Sequence, residues 1–148
     1  MKSRHIKGFS LIELLVAMII VGILAAIAIP SYNNYMVRGS RAAAQTELLE
    51  MASLQEKIYL NSSAYSPNVS TAYNGTASGG LGKTNSTTSD GMYDLALSGV
   101  GQTYTLTATP VAGTRQEGNG CLTIRENGLR QWHENNDTCD TANPSEWK

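Results

Sequence analysis

The stretch GFSLIELLVAMIIVGILAAIAIP, Gly8 to Pro30, decides how this chain is read. From Phe9 to Ile29 there are 21 residues, and only Ser10 and Glu13 among them are polar. As a helix rising ~1.5 Å per residue, the run is about as long as the hydrocarbon layer of a bilayer is thick. An unpaired carboxylate in hydrocarbon is costly, so Glu13 reads as a functional group inside a membrane span.

Upstream, MKSRHIKG carries Lys2, Arg4 and Lys7 and no acid, which holds the N-terminus on the cytoplasmic side. An ordinary secretory signal places its small-residue cleavage site after the apolar region, which is then discarded. Here the small residue, Gly8, comes first. Cleavage after Gly8 leaves the hydrophobic helix in the mature chain, beginning at Phe9.

GFSLIELLVAMIIVGILAAIAIPSY resembles the class III signal and N-terminal helix of type IV pilins, densely from Lys7 to Tyr35. The resemblance implies cutting after Gly8 by a membrane-embedded prepilin peptidase, methylation of the freed Phe9 amine, and delivery by an inner-membrane pilus assembly platform. It further implies that Glu13 meets the charged N-terminus of a neighbouring pilin subunit as the chain leaves the membrane, in a low-dielectric setting where the two charges satisfy one another. Gly22 and Pro30 stand where the family has helix-loosening residues. Gly22 has no side chain to stiffen the helix, and Pro30 removes a backbone donor and crowds the carbonyl of Ala26. A kink or melted stretch and a mild bend are both compatible with them.

Beyond Pro30 a helical pattern resumes, with Ala44, Leu48, Met51, Gln55 and Ile58 on one stripe and Leu49, Ala52 and Tyr59 beside it. The charged Arg38, Arg41, Glu47, Glu50, Glu56 and Lys57 fall mostly elsewhere. The expectation is one helix of roughly fifty residues, hydrophobic in its first half and amphipathic in its second. Asn61 to Asp90 is different material: 20 of its 30 residues are Ser, Thr, Asn or Gly, which predicts a long surface loop pinned by Tyr65, Tyr73 and Leu81. Its Gly82-Lys83-Thr84 lacks the earlier glycine of a phosphate-binding loop.

From Met92 the period changes to two. Tyr93–Leu97, Thr103–Thr109, Cys121–Arg125 and Leu129–Trp132 read as strands, with Pro110 ending the second and Asn127-Gly128 turning the third into the fourth. Tyr104, Leu106 and Ala108 share the face expected to lie on the helix stripe. The fold class is α+β: a long N-terminal helix on an antiparallel sheet of about four strands, for which the resemblance implies a pilin fold with a C-terminal disulfide loop. The domains are a leader at 1–8, a transmembrane and filament-core helix at 9–37, and a globular head at 38–148.

Cys121 and Cys139 follow the span and so lie outside the cytoplasm, where pairing them closes a loop worth ~3 kcal/mol in the chain-entropy model. The alternatives are a metal site with His133 and Asp137 or Asp140, although no standard zinc spacing is present, and calcium at Asn135, Asp137 and Asp140. The cysteine pair favours the stapled loop, and no metal or cofactor is expected. His133 reads as a solvated side chain with no nucleophile motif beside it, so no enzyme is expected. Trp132 and Trp147 read as packing under the disulfide loop.

The formal charge is −1, and losing Lys2, Arg4 and Lys7 leaves 8 of the 11 basic side chains against 12 acidic ones, so nothing global marks a nucleic-acid binder. Yet Thr103 to Cys139 is similar to the heads of PilE-like minor pilins and of the related ComP DNA-uptake receptors. That likeness implies a DNA-binding reading in which Lys83, Arg115, Arg125 and Arg130 supply the cations, diluted by Glu117, Glu126 and Glu134. The favoured reading is a structural subunit of a type IV pilus, a minor pilin that primes or joins assembly; a DNA receptor in natural transformation and the major pilin are the alternatives. As precursor the chain is expected in the bacterial inner membrane, and afterwards in an extracellular filament or a periplasmic pilus base.

Overall fold

The computed structural model describes residues 9–99, 101–140 and 144–147. Gly8, and with it the expected cleavage position, lies outside the described residues. Contacts divide the chain into two units, Met1–Met36 and Val37–Lys148. One helix, α1 (Leu11–Ser62, 52 residues), contributes to both.

In the first unit α1 is apolar on every side, and its large side chains from Phe9 to Ile29 are all exposed. Its start follows from local chemistry. The Ser10 N–H donates to Glu13 Oε2 at 3.0 Å and the Glu13 N–H donates to Ser10 Oγ at 3.2 Å, the reciprocal pair of a capping box. Gly22 and Pro30 both lie within continuous helix, where a Cβ at Gly22 would meet nothing within 4 Å.

In the second unit α1 buries Ala44, Leu48, Met51, Gln55 and Ile58, the stripe read from the sequence, together with Ser40, Glu47 and Ala52. Of these, Ala44, Leu48, Met51, Ala52 and Ile58 join a hydrophobic core with Tyr93, Leu95, Tyr104, Leu106, Ala108, Leu122, Ile124 and Trp132 from the sheet side. The sheet is an antiparallel meander of β1 (Tyr93–Ser98), β2 (Thr105–Pro110), β3 (Gly120–Arg125), β4 (Arg130–Glu134) and β5 (Ser145–Glu146), in that spatial order. About four strands were expected; β5 adds a fifth by pairing Gln131 with Glu146 and Trp132 with Ser145. Two residues are too few to carry a periodic signal. Pro110 is the last residue of β2 opposite Tyr93, and Gly128 takes φ +80° in the β3–β4 turn.

The polar segment after α1 is tied down mainly by hydrogen bonds. Buried Gln55 donates to the Ser66 carbonyl at 2.8 Å and accepts from the Ser66 N–H at 2.9 Å. Short bridges join Asn68 to Gly80 and Thr87 to Asp94. Leu81 is buried and Tyr65 packs on the core, its ring 4.7 Å from both Tyr59 and Tyr104. Tyr73 is 42% exposed, so it is not the apolar pin that was expected.

Candidate assembly helix and head surface

The first unit offers one charged side chain among its described residues before Met36, Glu13. Its carboxylate caps its own helix start, which leaves further lone pairs able to accept a cation. The pattern Ser10-x-x-Glu13 just ahead of an apolar run is the sequence signal for this cap. Around it Phe9, Ile12, Val16, Ala17 and Ile20 line a shallow apolar surface.

Where α1 enters the head, three contacts fix it. Gln116, fully buried in the β2–β3 loop, donates from Nε2 to the Val37 carbonyl at 2.8 Å while its Oε1 accepts the Tyr93 hydroxyl at 3.1 Å. The Arg41 guanidinium lies 3.9 Å from the centre of the Trp132 ring and donates to Asn119 Oδ1 at 3.3 Å. Trp132 Nε1 donates to the Asn119 carbonyl at 3.1 Å. Gln116 carries no apolar or charge signal, which is why its role is invisible in the sequence.

The four cations read as DNA-contacting candidates fall in different settings. Lys83 is paired to Glu47 at 2.9 Å and to Glu50 at 3.5 Å. Glu47, expected among the outward-facing charges, is instead buried, and also accepts from the Ser89 N–H at 2.7 Å and the Ser89 hydroxyl at 2.8 Å. Burial pushes its carboxyl up, but the Ser89 and Lys83 hydrogen bonds prevail and hold it below the usual carboxylate value. Arg125 and Arg130 are both exposed and lie on opposite faces of the sheet: Arg125 pairs with Thr105, and Arg130 pairs with core-facing Ile124. Arg130 sits 5.9 Å from the Trp147 ring centre, and Arg115 is exposed in the β2–β3 loop.

At the C-terminal end, Cys121 and Cys139 form a disulfide across 18 residues of sequence. The thiols are thereby unavailable to a metal. Asp137 accepts the Gly118 and Gly120 N–H groups at 2.8 and 2.9 Å, and Asp140 accepts from Asn136 at 2.6 Å. His133 is buried rather than solvated, at 5% exposure, and sits opposite fully buried Cys121 in the β3–β4 register. Its Nδ1 has no hydrogen-bond partner. Burial holds the imidazole below its ordinary value, opposed by Asp140 and assisted by Arg125. Trp132 is buried, and Trp147 is half-buried with Nε1 donating to the Gln131 carbonyl at 2.9 Å.

Two family models match the chain in tandem: the prokaryotic N-terminal methylation motif over residues 3–29, and "Type IV minor pilin ComP, DNA uptake sequence receptor" over residues 30–125. The chain belongs to the type IV minor pilin ComP family. The pilin's α+β fold, with its long N-terminal helix, antiparallel sheet and C-terminal disulfide, accords with that membership. The pilin is also similar to the type IV major fimbrial protein FimA of Dichelobacter nodosus, at 46% identity over 61 residues, 41% of this chain and 38% of that protein. It is similar to the type IV major pilin protein PilA of Myxococcus xanthus, at 38% identity over 60 residues, 40% of this chain and 27% of that protein. The matched stretch thus spans less than two fifths of either relative's length. Both relatives are major subunits, but the match to the minor-pilin model extends into the head as far as residue 125, so the major-pilin alternative is not favoured.

Proposed function

We propose that this pilin is a structural subunit of a type IV pilus, a minor pilin that primes or joins filament assembly. The observation that carries the reading is the apolar surface of Phe9–Ile29, exposed along its whole length and broken by Glu13 alone among charged groups. Such a surface needs cover, first the bilayer and then the helices of other pilins. Prepilin peptidase cleaves after Gly8, the Phe9 amine is methylated, and Glu13 pairs with the N-terminus of a neighbouring subunit. The matched methylation motif supports this processing. Glu13→Val tests the assembly step: the variant is expected to be cleaved normally and to enter filaments poorly, and normal incorporation beside wild-type partners would count against the mechanism.

A second reading, DNA binding by the head, is favoured by the receptor family match over residues 30–125. Arg115, Arg125 and Arg130 are its exposed candidate contacts, while Lys83 is engaged by Glu47. A gel shift with the full chain in detergent, at low and moderate salt, tests it. Salt-sensitive binding lost in the Arg125→Ala/Arg130→Ala double variant supports receptor function, and no shift at low salt removes it.

A further inference from the structure

The outer face of the sheet holds a group that pilus assembly leaves unused. Cys121 and His133 are cross-strand partners in the antiparallel β3–β4 register, so their side chains emerge side by side on the same face. Cys121 is fully buried and His133 is 95% buried, yet His133 Nδ1 has no partner, a costly arrangement for a polar atom. Asp140 directly follows the bridged Cys139 and acts electrostatically on His133. Other charged groups at this face are Arg125 on β3, Asp94 on β1 and Glu146 on β5, placed there by register.

A buried thiol resists ionisation, whereas only the thiolate attacks a disulfide. Cys121 therefore needs a base within the protein when the bridge is made. We infer that His133 is the general base that deprotonates Cys121 during closure of the Cys121–Cys139 bridge by thiol–disulfide exchange. Cys139, half-buried, is the more accessible thiol and reacts first. Its proton passes to solvent and its thiolate attacks an external disulfide RSSR, forming the mixed disulfide Cys139 Sγ–SR and releasing RS⁻, which takes up a proton from solvent. Cys121 then gives its proton to His133 Nδ1 and attacks Cys139 Sγ; the S–SR bond breaks and the second RS⁻ leaves, taking up the proton from the imidazolium. The two cysteine thiols are oxidised together and RSSR is reduced to two thiols. Asp140 is a positioning residue that stabilises the transient imidazolium.

The test uses the full chain in detergent, reduced, freed of reductant and treated with excess oxidised glutathione from pH 5.5 to 9. Acid quenching, thiol alkylation and mass measurement follow the mixed disulfide and its closure separately. Wild-type closure is expected to stay fast through about pH 6.5 and to slow only below it, because the buried imidazole is held below its ordinary value and keeps its capacity as a base to lower pH. His133→Gln is expected to close about tenfold more slowly at pH 6.5, to follow only thiol ionisation, and to converge on wild type near pH 9. Asp140→Asn is expected to move the wild-type inflection to lower pH. A purely structural role would slow closure equally at all pH values. That uniform loss, or superimposable profiles for wild type and His133→Gln, would overturn the inference. In 6 M guanidinium the two chains should close at the same rate at every pH, and a difference that persists there would also overturn it.

Discussion

The two halves of α1 share one secondary structure and differ in what covers them. Between Ala44 and Ile58 the apolar residues recur at helical spacing and are buried by the chain's own sheet. Between Phe9 and Ile29 they occupy every side, and nothing among the unit's described residues buries them. The carboxylates repeat the contrast. Glu47 has Lys83 and Ser89 to satisfy it, whereas among the described residues Glu13 has only the Ser10 cap. A half-apolar helix is completed by its own fold, and a wholly apolar one must be completed from outside.

The largest expected effect breaks that contrast at Glu13. Glu13→Val should reduce recovery in sheared filaments by about tenfold or more, the order expected when a charge partner is lost in a low-dielectric core, while membrane levels stay normal by immunoblot. Next comes a matched pair of truncations. Leu48→Ala, at a fully buried site, should lower the stability of the head by ~2–5 kcal/mol in denaturant unfolding, and Leu14→Ala, at an exposed one, should leave it unchanged.

Smaller again is Glu47→Ala, which strands the Lys83 ammonium and the Ser89 donors and should cost ~1–3 kcal/mol. Because the Glu47 carboxyl is held below its unfolded value of 4.5, its contribution is present above that pH and is lost as pH falls below it. Wild type should therefore lose stability in that acid range more steeply than Glu47→Gln, as read by thermal melts. The mildest effect concerns His133. Its lowered pKa means the folded head binds fewer protons than the unfolded chain just below the ordinary value of 6.5, so melting temperature should decline as pH falls through that region. His133→Gln should flatten that decline.

The helix, its stripe and the first four strands were legible because they rest on period and turn chemistry, which neighbouring residues report directly. Ala44, Leu48 and Met51 are spaced as a helix face, and Asn127-Gly128 marks a turn whatever packs around it. The burial of Glu47 was not legible, since it depends on Lys83 and Ser89 arriving from a segment with no periodic pattern. Gln116 was missed for the same reason: its hydrogen bonds to Val37 and Tyr93 span 79 and 23 residues of sequence. His133 was misread because a histidine near a polar loop looks solvated, and its burial rests on its place opposite Cys121 on another strand, which its sequence neighbours do not report. The separation of Arg125 from Arg130 was readable in principle, because the register places one opposite Thr105 and the other opposite Ile124.

The central claim is that the exposed first half of α1 is covered in turn by a membrane and by other pilins. Quantitative mass spectrometry of sheared filaments, reading both copy number and the N-terminal peptide, tests it most directly. The account predicts a chain that begins at N-methylated Phe9 and is present in fewer copies than the main subunit. A chain found only in membranes, absent from filaments and still carrying residues 1–8, would contradict it.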